Sequence, residues 1–495
     1  MDGQRASEFG VRVYRRFHSR IVATEFWMYP GRGIGRRVGR QHPDGDGPRQ
    51  PRVACAIHLA HSACAERRED FVRTGARAGY EDQRSGLYEW NDRDVGRRRL
   101  TRPATFRTDP RVAHGCMLSL SLAARTLTPM PTLTDALSLT SGTILENRFA
   151  LAPLTNCQSH PDGRLSDEEY RWLVKRAEGG FALTMTCAAT VQREGVGFPG
   201  QLGVYSDDHI DGLSRLAAGI KAHHSHAVVQ LHHAGMRAPV RLTGRAPQCP
   251  SDDATTGAQG MTRDEVKHSV DAFIGAARRC ERAGFDGVEL HGAHGYLICQ
   301  FPSAETNRRD DEYGGSLGNR SRFLLNVIDG VRAACRSTFS VGVRLSPERF
   351  GMQVLEVREV ARRLMTDGSI DYLDMSFWDC FKEPEDATLH GRSLLSYFTD
   401  LDRGSVRLGA AGKILTGAQA LSVLDAGVDF VLIGRAAILH HDFPTRVVAD
   451  PAFHAVSTPV TPDYLHDQGL SDAFITYMRN WKGFVTDPVD AHASA

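Results

Sequence analysis

The sequence predicts an α/β chain folded as a TIM (β/α)8 barrel, on three observations. Eight short apolar, β-branched runs alternate with longer amphipathic stretches through residues 148–435. No glycine-rich turn follows the first run, "RFALAPLTNCQ", where a doubly wound sheet would normally carry one. Polar side chains gather where the runs end, and in a barrel that is the face that carries chemistry.

The predicted strands are, in order, "RFALAPL" (148–154), "FALTMTCAATV" (181–191), "HAVVQLHH" (226–233), "FDGVELHG" (285–292), "FSVGVRLSP" (339–347), "IDYLDMSF" (370–377), "RLGAAGKIL" (407–415) and "VDFVLIGR" (428–435). Helical stretches lie between them. "SDEEYRWLVKRAEGG" opens on Ser166 as an N-cap, and "TRDEVKHSVDAFIGAARRCERAG" on Thr262 with Glu265 as a capping box. "SLGNRSRFLLNVIDGVRAACR" is the third. Gly179, Gly284 and Gly427 stand where helices should close.

A hydrophobic share of 41% and a charged share of 24% match a soluble globular chain, and no run approaches the roughly 20 apolar residues of a membrane span. "CMLSLSLAARTLTPM" is too short and is interrupted by arginine, so it reads as neither span nor signal peptide. Ten cysteines lie singly with no CxxC pair, which argues against a disulfide scaffold or structural zinc and for a cytoplasmic protein with reduced thiols. Residues 1–130 hold 24 Arg, no Lys and 14 acidic residues, whereas the rest holds 36 Lys and Arg against 45 acids. A basic arm can contact nucleic acid. Here the arm shows no sustained period of 3.6 or 2, so residues 1–129 are expected to be disordered or to lie upstream of the true start, with Met117 or Met130 as first residue. The expected barrel covers 130–450. The tail, 451–495, is expected to form helices on the barrel or on a neighbouring subunit of a homo-oligomer. No nucleic-acid or membrane partner is expected.

The chemistry starts at "HGAHGY" after the fourth run: His291, His294 and Tyr296. With His232 the two histidines could hold a metal, or they could form a structural polar corner. The favoured reading is a pair of neutral imidazoles donating to a substrate oxygen beside a tyrosine that delivers a proton. "GKILTGAQA" and "VLIGRAAI" each pass from strand through glycine to helix, which makes a phosphate site near Gly417, Gly434 and Arg435. Gln230 can donate to and accept from an amide-like ring edge. Arg344, on a strand, is costly to bury without an anion.

These residues carry a resemblance. "LENRFALAPLTN", "VVQLHHAGMRA", "VELHGAHGYLICQF…TNRRDDEYGGSLGNRSRFLLNVIDGVR" and "VDFVLIGRAAI" resemble the old yellow enzyme family of FMN-dependent NAD(P)H:flavin oxidoreductases, over residues 133 to 450. The resemblance implies non-covalent FMN, with NADH or NADPH as hydride donor and an activated alkene as acceptor. Ala152, Pro153, Leu154 and Thr155 match the segment beside the flavin, and Ala188 the small residue that lets the ring lie close. Gln230 matches the contact to the pyrimidine edge, Arg344 the cation near N1, and Gly434 with Arg435 the phosphate contact. His291 and His294 match the pair that binds the substrate carbonyl, and Tyr296 the proton donor. The chain departs from many bacterial members at Thr155 and Cys157, which stand where those carry cysteine and tyrosine. Lys413 replaces a common glycine. No cysteine follows Cys380, so the iron–sulfur cluster of the longer relatives is not expected. An oxidative variant of the same flavin chemistry, dehydrogenation or demethylation, is the alternative activity, ahead of a metal-dependent hydrolase.

Overall fold

The computed structural model describes residues 131–486; the Arg-rich arm and the last nine residues of the tail lie outside them. Eight parallel strands form the centre: β1 (Phe149–Leu151), β2 (Leu183–Met185), β3 (His226–His232), β4 (Gly287–Gly292), β5 (Ser340–Leu345), β6 (Tyr372–Ser376), β7 (Arg407–Ala411) and β8 (Phe430–Ile433). Each pairs with the next, and β8 returns to β1 with Val431 opposite Phe149, so the sheet closes into a barrel. Closure with helices outside buries both faces of every strand. Accordingly β3, β4 and β5 are buried at every position.

Two predicted strands come out shorter, for local reasons. In the first, Pro153 lacks an N–H, and the ladder ends once Ala152 N–H has bonded Ile433 O at 3.1 Å. The second breaks into β2 and a two-residue piece, Ala189–Thr190, that runs beside Leu231 and His232 of β3. Between the pieces Thr186 Oγ1 donates to the Cys187 carbonyl at 2.8 Å, which leaves Ala188 out of the ladder.

Leaving aside four-residue turns of helix, the helices of the barrel are α1 (Asp167–Glu178), α2 (Ile210–Lys221), α3 (Arg263–Arg282), α4 (Arg322–Ala334), α5 (Val354–Asp367), α6 (Gly417–Asp425), α7 (Arg435–Leu439) and α8 (Phe443–Ala449). Helix α3 buries Val266, Val270, Phe273, Ala277 and Cys280, a stripe at spacings of three and four. Its capping box is complete, with Thr262 accepting from Glu265 N–H and the Glu265 carboxylate accepting in return. Ser166 caps α1 by accepting the Glu169 N–H. At the end of α1 the left-handed residue is Gly180 (φ +94°) rather than Gly179 (φ −73°).

Residues 451–486 carry two further helices, α9 (Pro462–Asp467) and α10 (Asp472–Met478). Phe474 meets Trp172 of α1 edge-on at 5.0 Å. The buried Arg176 guanidinium lies 3.1 Å from the Trp172 ring centroid and donates to the carbonyls of Ala437 and Gln468, tying tail, α7 and α1 together.

The barrel interior is tightly filled where Gly342 lies beside Tyr372, its register partner. A Cβ at Gly342 would sit 2.1 Å from Tyr372 Cζ. Gly342→Ala should therefore destabilise the fold by about 1–3 kcal/mol through overpacking, read as a lowered midpoint in chemical denaturation.

Candidate functional site

Parallel register sets neighbouring strands' partners side by side on one face. It puts His291 beside Arg344 and Arg344 beside Asp374, a polar row across β4, β5 and β6. It likewise puts Gln230 of β3 beside Glu289 of β4. Gln230 Nε2 donates to Glu289 Oε1 at 2.7 Å. Arg344 Nε lies 2.9 Å from Asp374 Oδ2 without hydrogen-bond alignment, so the pairing is ionic.

Just past β4 the chain takes two left-handed residues in succession, His294 (φ +59°) and Gly295 (φ +71°). That reversal folds the loop back over the strand end. A left-handed histidine needs support. Ser346 Oγ accepts its N–H at 3.0 Å, and Arg237 Nη1 donates to its carbonyl at 2.5 Å. The rings then converge: His291 lies 5.1 Å from both His294 and Tyr296, and His232 4.3 Å from Tyr296, centroid to centroid. His291 Nε2 and His294 Nδ1 are 3.4 Å apart, and His294 Nε2 is 2.9 Å from Ser376 Oγ. Arg237 stands 4.9 Å from the Tyr296 ring centroid.

Burial holds both imidazoles well below their ordinary 6.5, and the guanidiniums of Arg344 and Arg237 push the same way. Both rings are neutral at pH 7, each with one N–H to donate. Among the described residues no three His, Cys, Asp or Glu side chains converge to hold a metal. His232 Nδ1 faces Gln201 Nε2 at 3.0 Å, and its Nε2 is buried with no hydrogen-bond partner among the described residues.

Beneath the row, burial pushes the Glu289 carboxyl well above its ordinary 4.5, with the charge of Asp374 adding to the effect. Burial raises Asp374 too, to about 6, although Arg344 opposes it. Glu289 thus keeps its proton and Asp374 takes the guanidinium. A raised carboxyl binds a proton in the folded state that the unfolded chain releases. Its contribution is complete below the unfolded value and is lost as pH rises from 4.5 toward the folded value. Glu289→Gln, which cannot ionise, should therefore keep its thermal midpoint better than the wild type as pH is raised from 4.5 into the alkaline range.

The expected cofactor residues surround this row. Ala152 and Ala188 are buried, while Pro153, Leu154 and Thr155 are partly exposed beyond the end of β1. At Gly434 an added Cβ would meet only Leu154 Cδ2, at 3.7 Å, so the space above that glycine is open toward the β1 loop. Arg435 is exposed, and among the described residues no carboxylate pairs with it. Gly417 corrects the sequence reading. Its N–H is spent on the Phe453 carbonyl at 2.9 Å and its Cα is sealed by Pro451, so it has no amide to offer a phosphate. The signal was misread because the glycine that opens α6 serves the tail instead. Lys413 takes the left-handed conformation (φ +51°) open to a glycine, and its ammonium pairs with Asp379 at 2.8 Å.

These residues suit FMN. A planar ring with an amide-like edge and an electron-rich N1 side matches an amide (Gln230) and a buried cation (Arg344) that both act on Glu289, with small residues where the ring would lie flat. An open glycine with an exposed arginine suits its phosphate. Sequence reasoning missed Asp374, Glu289, Ser376, Ser346 and Arg237. Asp374 and Glu289 were visible as acids inside apolar strands, which must be paired or neutral when buried. The other three depend on contacts across loops.

The arrangement defines a class, a barrel oxidoreductase built around a flavin. Residues 137–451 match the model of the NADH:flavin oxidoreductase / NADH oxidase family. The chain is similar to a probable NADH-dependent flavin oxidoreductase, YqiG, of Bacillus subtilis strain 168, with 36% identity over 317 residues, 62% of this chain and 85% of that protein. It is 35% identical over 328 residues to an NADPH dehydrogenase of Bacillus licheniformis, covering 65% of this chain and 95% of the relative. Among solved structures it resembles the old yellow enzyme homologue of Zymomonas mobilis, with a TM-score of 0.59 and 26% identity over 69% of this chain and 99% of that one. The chain belongs to the NADH:flavin oxidoreductase / NADH oxidase family, that of the old yellow enzymes, and is an FMN-dependent NAD(P)H oxidoreductase. Among the described residues no helix is long and apolar enough to cross a membrane.

Proposed function

We propose that this protein reduces the C=C bond of a neutral α,β-unsaturated carbonyl compound at the end of β4. The observation that carries the reading is the approach of His291 Nε2 to His294 Nδ1, 3.4 Å apart, beside Tyr296. When bound, FMN supplies two-electron storage between the nicotinamide and the substrate. Gln230 and Arg344 would hold its pyrimidine side, with Ala152, Pro153, Leu154, Thr155 and Ala188 along the ring and Gly434 and Arg435 at the phosphate. The two imidazoles bind and polarise the carbonyl oxygen, which makes the β-carbon electrophilic. Tyr296 delivers a proton to the α-carbon, and its hydroxyl is then restored from solvent.

A neutral substrate is favoured by the mouth of the site. His294, Phe350, Ser376 and Trp378 line it together with Arg349 and Lys382. Both cations are taken: Lys382 by Glu348, and Arg349 by Glu385. Neither Lys382 nor Arg349 is left over for a substrate carboxylate, whereas an uncharged planar ring meets Trp378 and Phe350. Seven free cysteines among the described residues fit a cytoplasmic enzyme.

The test is an anaerobic titration of the purified flavoprotein with NADH or NADPH, followed by 2-cyclohexen-1-one. Bleaching by the nicotinamide and recovery of colour with the enone are the expected results. Bleaching that an enone never reverses would overturn the substrate class.

A further inference from the structure

We propose that Ser376 is a positioning residue that fixes the tautomer of His294, so that both imidazoles present an N–H to the same substrate oxygen. The proposal deepens the reading above and rests on its carbonyl-binding site. A neutral imidazole has one N–H, and which nitrogen carries it is set by what the other nitrogen meets. His294 Nε2 meets Ser376 Oγ at 2.9 Å.

The serine hydroxyl could take either role toward that nitrogen, but its second neighbour decides. Arg344 Nη2 lies 3.4 Å from the same oxygen and donates to it, because a guanidinium has no acceptor. Among the described residues Ser376 Oγ has no partner besides these two, and Arg344 cannot accept, so His294 Nε2 is the one atom that can take the hydroxyl proton. That nitrogen must then accept, and the His294 proton sits on Nδ1. Arg344 is itself held in place by Asp374 at 2.9 Å, so the chain of contacts starts from a fixed point.

His291 reaches the matching state by another route. Its Nδ1 accepts the Ala293 N–H at 3.4 Å, which leaves the proton on Nε2. The two protonated nitrogens, His291 Nε2 and His294 Nδ1, face one point across 3.4 Å. Two donors this close call for one acceptor set to the side of the pair and within reach of both, and a carbonyl oxygen with two lone pairs supplies it. The opposite tautomer would let His294 donate to Ser376 and accept from His291, closing the pair on itself and leaving the substrate one donor short. Ser346 and Arg237 fix the His294 backbone on both sides, which holds the ring at this place over the strand end.

The experiment uses the full-length FMN-loaded protein labelled with 15N-histidine. Two-bond proton–nitrogen correlation reads the tautomer of each ring, and His294→Gln identifies the signal. The expected result is an Nδ1–H tautomer at His294 in the wild type, retained in Ser376→Thr and shifted toward Nε2–H in Ser376→Ala. Ser376→Ala should also lower kcat/KM for 2-cyclohexen-1-one on the order of tenfold, the worth of about one net hydrogen bond. An Nε2–H tautomer at His294 in the wild type overturns the proposal, even if no variant folds. So does a tautomer that Ser376→Ala leaves in place. If the serine-dependent Nδ1–H signal is present but the enone is not reduced, the substrate reading fails and the positioning role stands.

Discussion

Tyr296→Phe should slow reduction of an enone by roughly 10²–10⁴-fold, the usual worth of a positioned general acid, while bleaching by NAD(P)H proceeds at nearly the wild-type rate. The substitution removes one oxygen and keeps the ring. The edge-on contacts to His232 at 4.3 Å and His291 at 5.1 Å, and the Arg237 guanidinium 4.9 Å from the ring, need only the aromatic face. Carbonyl binding by His291 and His294 should also survive. Stopped-flow absorbance separates the two half-reactions. Equal slowing of both would mean that the tyrosine serves the structure rather than proton delivery.

Arg344→Met should have the second large effect, on stability and flavin retention together. Arg344 is buried and lies 2.9 Å from the fully buried Asp374. Removing one partner of a buried pair leaves the other charge uncompensated and costs about 3–5 kcal/mol. The loss depends on pH with a definite sign. Burial already raises Asp374 from 3.8 to about 6, and taking Arg344 away raises it further. Below 3.8 the aspartate is protonated in both states and the variant loses little. As pH climbs through the folded value the unpaired carboxylate must ionise in place, and the deficit grows to its full size. Thermal unfolding of both proteins across that range measures the growth. A deficit independent of pH would show that Asp374 is not the partner that suffers.

Much of the architecture was legible in the sequence, because barrel strands buried on both faces read as continuous apolar runs and the intervening helices kept a clean stripe, as in α3. Where the reading slipped, a local competitor had won. Pro153 shortened the first strand, and the Thr186 hydroxyl divided the second. At the site, the residues that end strands were readable because strand ends in a barrel share one face: His291 and Arg344 are neighbours by register alone. Gly417 misled, since a strand–glycine–helix pattern does not reveal that the tail carbonyl of Phe453 takes the amide. Ser376 was invisible for a related reason. A serine at the end of "YLDMS" gains meaning only from two side chains, His294 from the loop after β4 and Arg344 from β5.

The account turns on where hydride and proton are delivered, and isotope labelling reads that directly. 2-Cyclohexen-1-one would be reduced with nicotinamide deuterated at C4 in ordinary water, and with ordinary nicotinamide in deuterium oxide, and the product examined by NMR. The account predicts deuterium at the β-carbon in the first case and at the α-carbon in the second, with the α-label abolished or slowed in Tyr296→Phe. Deuterium at the carbonyl carbon, giving an allylic alcohol, would contradict it, because the imidazole pair would then be activating the C=O bond itself for reduction.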